Sequence, residues 1–251
     1  MPLYNNKEWL YNKYENEKLS SIEIGKMCNI SESTIRRQLR KFNILIRSNS
    51  ESHHLKNKNH CSLPPEAIEW INGELLGDGC LNSRCKYSAM FRYSSKYPEY
   101  IQYVSDKLRS FGIEQIGRMY QFKDKRYGSM TYYYCSRSYV ELLPIYNQWY
   151  PNGDKIVPKD IKLTPLVARQ WYTGDGSLIH SKTQKSYITL ATNCFKNLDV
   201  KWLVRQLTEL NIKASQQHSN NVIRIPCYSI KSFFDYIGNS PVQCYKYKWE
   251  Y

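Results

Sequence analysis

The sequence has no apolar run approaching the ~20 residues a helical membrane span needs. Its opening stretch, "MPLYNNKEWLYNKYENE", mixes acids with bases and has no apolar core. It therefore reads as neither a secretory signal nor a transit peptide, and a cytoplasmic setting is expected, on a nucleoid or in the host cell of a phage or virus. Cys-x-x-Cys pairs are absent, although the chain has 8 cysteines. Scattered free thiols in a reducing compartment are the expectation. Histidine is scarce, and His53, His54 and His60 fall with Cys61 in the polar stretch "SHHLKNKNHC". That spacing matches no established zinc pattern, so the stretch reads as a linker. Acidic residues are also short: 22 Asp and Glu against 36 Lys and Arg, for a net charge of +14 in 251 residues. A chain simply rich in Lys, Asn, Ile and Tyr could show this excess. As a signal it favours an anionic partner, nucleic acid first and anionic membrane second. No basic amphipathic helix has the broad apolar face that membrane attachment needs, which leaves nucleic acid.

Residues 1–47 read as a small all-α domain. Ser20 and Glu23 form a capping box at the start of one helix. Ser31 is an N-cap for a second, on which Ile35, Leu39 and Phe42 make one apolar face. A preceding helix over about 5–17 supplies Trp9, Leu10 and Tyr14 to the core. This arrangement resembles the helix-turn-helix family. By that resemblance Ser33, Thr34 and Arg37 meet base edges, while Arg36, Arg40 and Lys41 meet phosphate. A three-helix packing module with a solvated basic face is the alternative. Residues 48–62 lack apolar periodicity and read as a linker.

Beyond the linker the chain repeats itself, over 63–160 and again over 161–251. "LPPEAIEWINGELLGDGCL" and "LTPLVARQWYTGDGSL" each open on prolines or a Thr-Pro suited to a helix start, and each ends in Gly-Asp-Gly. Strand candidates follow at 87–95 and 186–193, then an amphipathic helix in each copy. Two further strands are expected in each, at 116–122 with 130–136 and at 213–218 with 221–226. Short helices are expected near 138–147 and 229–237. The fold class is thus α+β, with two pseudo-symmetric αββαββα repeats. Each copy alone buries little surface, so the two are expected to share a core across their opening helices.

The recurring aspartates, Asp78 and Asp175, are 97 residues apart. If the opening helices pack side by side, with Gly73 and Gly77 permitting close approach, both acids converge at helix C-termini. Carboxylates repel there, and the helix macrodipole is negative. With free terminal carbonyls nearby, the set suits a hard divalent cation, Mg²⁺ above all, and beside a basic surface that suggests phosphodiester chemistry.

"INGELLGDG" (71–79) and the more diverged "ARQWYTGDG" (168–176) resemble the nonapeptide of the LAGLIDADG homing endonucleases in their single-chain, two-motif form. The resemblance covers about 64–251. It implies that Asp78 and Asp175 bind metal, with Mn²⁺ able to replace Mg²⁺, and that the carbonyls of Gly77 and Gly174 complete the coordination. It further implies catalytic lysines at Lys155 and Lys246, and polar residues at Ser94 and Asn193 where the family often has Gln. Lys96 lies near as a substitute. Gln170 stands where the family usually has glycine, predicting a looser or asymmetric helix contact.

The resemblance also implies that the sheets form a saddle over the DNA major groove. Lys86, Arg92, Arg118, Lys123, Lys125, Arg126, Lys182, Lys185 and Arg224 are the candidate DNA contacts, with Tyr132, Tyr133 and Tyr134 alternating between core and DNA faces. The implied activity is site-specific double-strand DNA cleavage by a monomer, of the kind encoded by mobile introns. The alternatives are a non-cutting transcription regulator and a maturase that binds intron RNA.

Overall fold

A computed structural model describes residues 2–49, 51–52, 59–123, 128–180, 185–217 and 219–251. The chain divides into two compact units, Met1–Lys58 with Arg84–Tyr87, and Asn59–Ser83 with Ser88–Tyr251.

In the first unit, α1 (Lys7–Tyr11) runs into a π-turn over Asn12–Asn16, where the sequence reading has one continuous helix. α2 (Ser21–Met27) starts at the Ser20–Glu23 capping box, with both hydrogen bonds of the box present. α3 (Glu32–Lys41) starts at Ser31, whose side chain accepts from Thr34 N. The turn between them is tight. A methyl added to Gly25 would lie 2.8 Å from the Ile30 carbonyl. Leu10, Tyr14, Ile24, Ile35, Leu39 and Ile44 form the core. Arg47 closes the unit: its guanidinium lies 3.7 Å from the Tyr14 ring centre and donates to the carbonyls of Tyr14 and Lys18. Ser33, Arg37 and Arg40 all face solvent, on the side of α3 opposite Ile35 and Leu39.

The second unit contains the repeats. In the first, α4 (Pro65–Leu76) leads into β1 (Cys80–Cys85) and β2 (Ser88–Ser95). Then come α5 (Pro98–Ser110), β3 (Tyr120–Lys123), β4 (Met130–Cys135) and α6 (Leu142–Trp149). The second has α7 (Pro165–Asp175), β5 (Gly176–Ile179), β6 (Tyr187–Leu190), α8 (Asn197–Glu209), β7 (Ser215–Gln217), β8 (Val222–Ile225) and α9 (Cys227–Ile237). A 3₁₀ segment, Gln243–Trp249, follows. The strand orders are β1-β2-β4-β3 and β5-β6-β8-β7, the same topology twice.

One core serves both repeats. Trp70, Ile71 and Leu75 of α4 and Ala168 and Trp171 of α7 are fully buried. Each large side chain so buried contributes about 1.5–3 kcal/mol. Tyr93 and Tyr134, partners across β2 and β4, turn inward. Ile188 and Ile225, partners across β6 and β8, do the same. Alternation then sends Arg92, Tyr133, Thr189 and Arg224 to the open faces. Among the described residues, no helix is long and apolar enough to cross a membrane.

Candidate metal and phosphodiester site

The two opening helices touch backbone to backbone at their ends. A methyl on Gly73 would lie 2.7 Å from Gln170 Cβ and 2.8 Å from the Val167 carbonyl. A methyl on Gly174 would lie 3.2 Å from Asp78 N and 3.3 Å from Gly77 Cα. Glycine at these two places is therefore a condition of the approach. The contact is asymmetric, as Gln170 suggested, but it is not loose. Gln170 fills the space that Gly73 leaves, and it is fully buried.

Asp78 and Asp175 leave α4 and α7 at this contact. Burial pushes the Asp175 carboxyl up to about 7, with the charge of Asp78 adding to it and Lys155 and Lys248 opposing. Asp78 is also raised by desolvation, against the pull of Lys248, Lys155 and the Tyr93 hydroxyl, which lies 3.5 Å from Oδ2. Asp78 nonetheless opens to solvent on one side, so the site is accessible.

An ammonium caps each helix end. Lys155 Nζ donates to the carbonyls of Gly77 (3.3 Å) and Gly79 (2.9 Å). Lys248 Nζ donates to those of Thr173 (2.7 Å) and Gly174 (3.0 Å). Each lysine thus satisfies orphan carbonyls at the negative end of a helix. Burial depresses both amines, Lys248 to about 8, while the two aspartates hold them up.

Lys155 therefore lies where the sequence reading put it, but Lys246 does not. Lys246 is exposed, and Lys248 takes the equivalent place. The 3₁₀ segment accounts for this. At three residues per turn, Tyr245 and Lys248 share the buried face and Lys246 is turned outward. The pattern "YKYKW" offers both lysines, and the docking of this segment on the end of α7 selects Lys248.

Ser94 and Asn193 are not drawn to the acids by any hydrogen bond. Ser94 is exposed opposite Tyr133 on β4. Asn193 lies beyond the end of β6 and donates to the Asn220 carbonyl. Lys96 is exposed, its ammonium over the Tyr97 ring. The carbonyls of Gly77 and Gly174, expected as metal ligands, already accept from the lysines. Among the described residues, no group of three or more His, Cys, Asp or Glu could hold a metal ion. The pair of carboxylates is what fits one. Two acids forced together with raised affinity for protons are short of positive charge, and oxygen donors suit a hard cation.

Sequence reading missed the polar cluster beneath the site. Glu74, one turn before Asp78, is fully buried. Its Oε1 accepts from Tyr100 Oη (2.7 Å) and Gln170 Nε2 (2.6 Å), and Oε2 has no hydrogen-bond partner among the described residues. Burial pushes this carboxyl up to about 8.

Of the expected DNA contacts, Arg118, Lys123 and Lys185 are exposed. Arg92 hydrogen-bonds Tyr120, and the Arg224 guanidinium stacks 3.9 Å from the Tyr187 ring centre. Lys86 is exposed in the turn between β1 and β2. Lys125, Arg126 and Lys182 lie outside the described residues, as do His53 and His54.

Residues 68–233 match the model of the LAGLIDADG DNA endonuclease family. An uncharacterized protein of Methanocaldococcus jannaschii is 26% identical over 257 aligned positions, covering 96% of this chain and 97% of that one. The cytochrome b mRNA maturase bI2 of Debaryomyces hansenii is 27% identical, covering 67% of this chain and 66% of that one. Among solved structures, the homing endonuclease I-WcaI bound to its DNA recognition sequence superposes with a TM-score of 0.67 at 20% identity, over 83% of this chain and 96% of that one.

Proposed function

Because the chain belongs to the LAGLIDADG DNA endonuclease family, we propose that it is a site-specific endonuclease that hydrolyses both strands of duplex DNA at a long target. The observation that carries this reading is the convergence of Asp78 and Asp175 between two lysine-capped helix ends. Asp78 and Asp175 would hold Mg²⁺, or Mn²⁺ in its place. When bound, such an ion would supply charge neutralisation and activation of water. Lys155 and Lys248 hold positive charge beside the acids, where it offsets the charge that develops on the phosphate. Their carbonyl partners fix both amines in place before substrate arrives. The open faces of the two sheets, with Arg92 and Arg224, would lie along the groove and place the phosphates. The N-terminal unit would add a second contact through the exposed face of α3, raising affinity by effective concentration.

The test is cleavage in Mg²⁺ of a plasmid that carries the uninterrupted genomic insertion site. A defined double-strand break, lost in Asp78→Asn and in Asp175→Asn while binding persists, supports the reading. Tight specific binding without scission in Mg²⁺ or Mn²⁺ would sink it and favour a regulator. Deleting residues 1–49 should shorten the footprint and leave the cut position unchanged. Likeness to an mRNA maturase favours a second reading, RNA binding. Splicing of a host intron that depends on this chain, and that survives Asp78→Asn, would establish it.

A further inference from the structure

Lys155 and Lys248 are each held at the tip by their own repeat, through the terminal carbonyls of α4 and α7. The segments that carry them are anchored elsewhere. Two residues after Lys155, Val157 N donates to Asp199 Oδ2 (3.4 Å), and Lys159 Nζ donates to Oδ1 (2.6 Å). Asp199 belongs to the second repeat. It is the third residue of α8 and is 6% exposed. Phe195, just before α8, has its ring centre 5.8 Å from the Lys155 ammonium.

The Lys248 segment makes the reverse crossing. Tyr245, one turn of 3₁₀ helix before Lys248, places its hydroxyl 3.2 Å from Ser95 Oγ, at the end of β2 in the first repeat. Its ring meets those of Tyr97 and Tyr100 edge to face, with centres 5.0 Å from each. Tyr100 is the third residue of α5, the place that Asp199 has in α8. The Lys248 ammonium lies 4.7 Å from the centre of the same Tyr245 ring. Two straps of different sequence therefore dock on the same turn of the opposite repeat. One is held by an ion pair and the other by aromatic contacts.

Packing alone does not call for polar anchors at these places. Asp199 is buried with both oxygens spent on its strap, and the Tyr245 hydroxyl is spent on Ser95. Burying such groups costs free energy that an apolar contact would not. What the anchors fix is backbone close to an ammonium. A lysine is a point charge on a flexible four-carbon stem. Contacts at its tip do not place it unless its backbone is also fixed, and charge stabilisation requires that placing before substrate arrives. We infer that Asp199 and Tyr245 are positioning residues, Asp199 for Lys155 and Tyr245 for Lys248, each acting from across the junction between the repeats. This inference rests on the endonuclease reading for the reaction that the lysines serve. Its consequence is that neither lysine is in place unless the two repeats are docked.

The test is single-turnover scission of the insertion-site duplex in Mg²⁺, with binding to the same duplex measured in Ca²⁺. Tyr245→Phe removes the hydroxyl and keeps the ring. Asp199→Asn removes the ion pair and keeps an acceptor for Val157 N. Each should slow scission about tenfold, as a small misplacement of a charged group does, and leave binding unchanged. Tyr245→Leu, which also takes away the ring beside the ammonium, should slow it further. The double variants decide. In Lys248→Met, Tyr245→Phe should add nothing, while in Lys155→Met it should keep its full effect. Asp199→Asn should show the reverse. Slowing of the same size in both backgrounds would mean a general loosening of the fold and overturns the inference. So do wild-type rates in all three single variants. Those outcomes leave the endonuclease reading standing, because the wild-type chain cuts. A wild-type chain that binds the duplex and never cuts overturns both.

Discussion

The two opening helices end in the same way and pack by different means. α4 has Gly73 and Glu74 where α7 has Gln170 and Trp171. Gln170 fits into the notch at Gly73 and donates to Glu74, so one repeat provides the hole and the acceptor while the other provides the knob and the donor. At the helix ends the difference disappears. Each has Gly-Asp-Gly, and each has a lysine on its terminal carbonyls. Symmetry is kept where both halves must present an acid to one place. It is given up a turn earlier, where only volume and polar satisfaction have to match. A buried carboxyl facing its own copy would leave two acids without a donor, so the Glu74–Gln170 pairing favours the mixed contact over either like pair.

The largest expected effect concerns the lysines that make the two ends equivalent. Lys248→Met should cut DNA scission by about 100-fold or more, the loss typical of removing a charge-stabilising donor. Lys246→Met should stay within about twofold of wild type in the same plasmid assay. Equal loss from Lys155→Met and Lys248→Met would sustain the equivalence. A large loss from Lys246→Met would break it.

Next comes the notch. Gly73→Ala presses a methyl against the Val167 carbonyl and Gln170 Cβ, and should cost about 2–3 kcal/mol in urea unfolding. Pairing it with Gln170→Gly relieves one of the two clashes and should recover part of that loss. Additive losses would show that the two positions do not share a space.

The third effect is electrostatic and appears only as pH rises. Glu74 titrates near 8 in the fold, above its ordinary range near 4.5. Its contribution is therefore complete at pH 4 and is lost as pH rises through 8. Asp175, near 7, slopes the same way in the absence of metal. Glu74→Gln keeps an acceptor for Tyr100 and cannot ionise, so it should be more stable than wild type at pH 9 and differ much less from it at pH 5. Mg²⁺ should flatten the remaining slope, since it replaces the proton on Asp175. A wild-type and Glu74→Gln difference that is constant with pH would mean that Glu74 is ionised in the fold.

Much of this was legible in the chain. The capping box at Ser20, the Thr164–Pro165 start of α7 and the twin Gly-Asp-Gly ends are local signals, and the structure has a helix start or end at each. Less legible were features that depend on which face is buried. The helix expected over 138–147 is shifted to Leu142–Trp149, and the strand expected from 116 begins at Tyr120. The helix start has no side-chain cap and follows the burial of Leu142, Ile145 and Trp149, while the strand, all four of whose residues are exposed, starts where it pairs with Tyr133 of β4.

By itself, the sequence determined that two alike units each end a helix in an acid, because helix starts, turns and repeats are written in neighbouring residues. Tertiary structure alone decided that Lys248 and not Lys246 joins the acids, that Glu74 is held among Tyr100 and Gln170, and that the rings of Tyr120 and Tyr133 stack. Those outcomes depend on contacts between residues 13 to 96 positions apart, and no local pattern encodes which of several equivalent side chains a distant surface will bury.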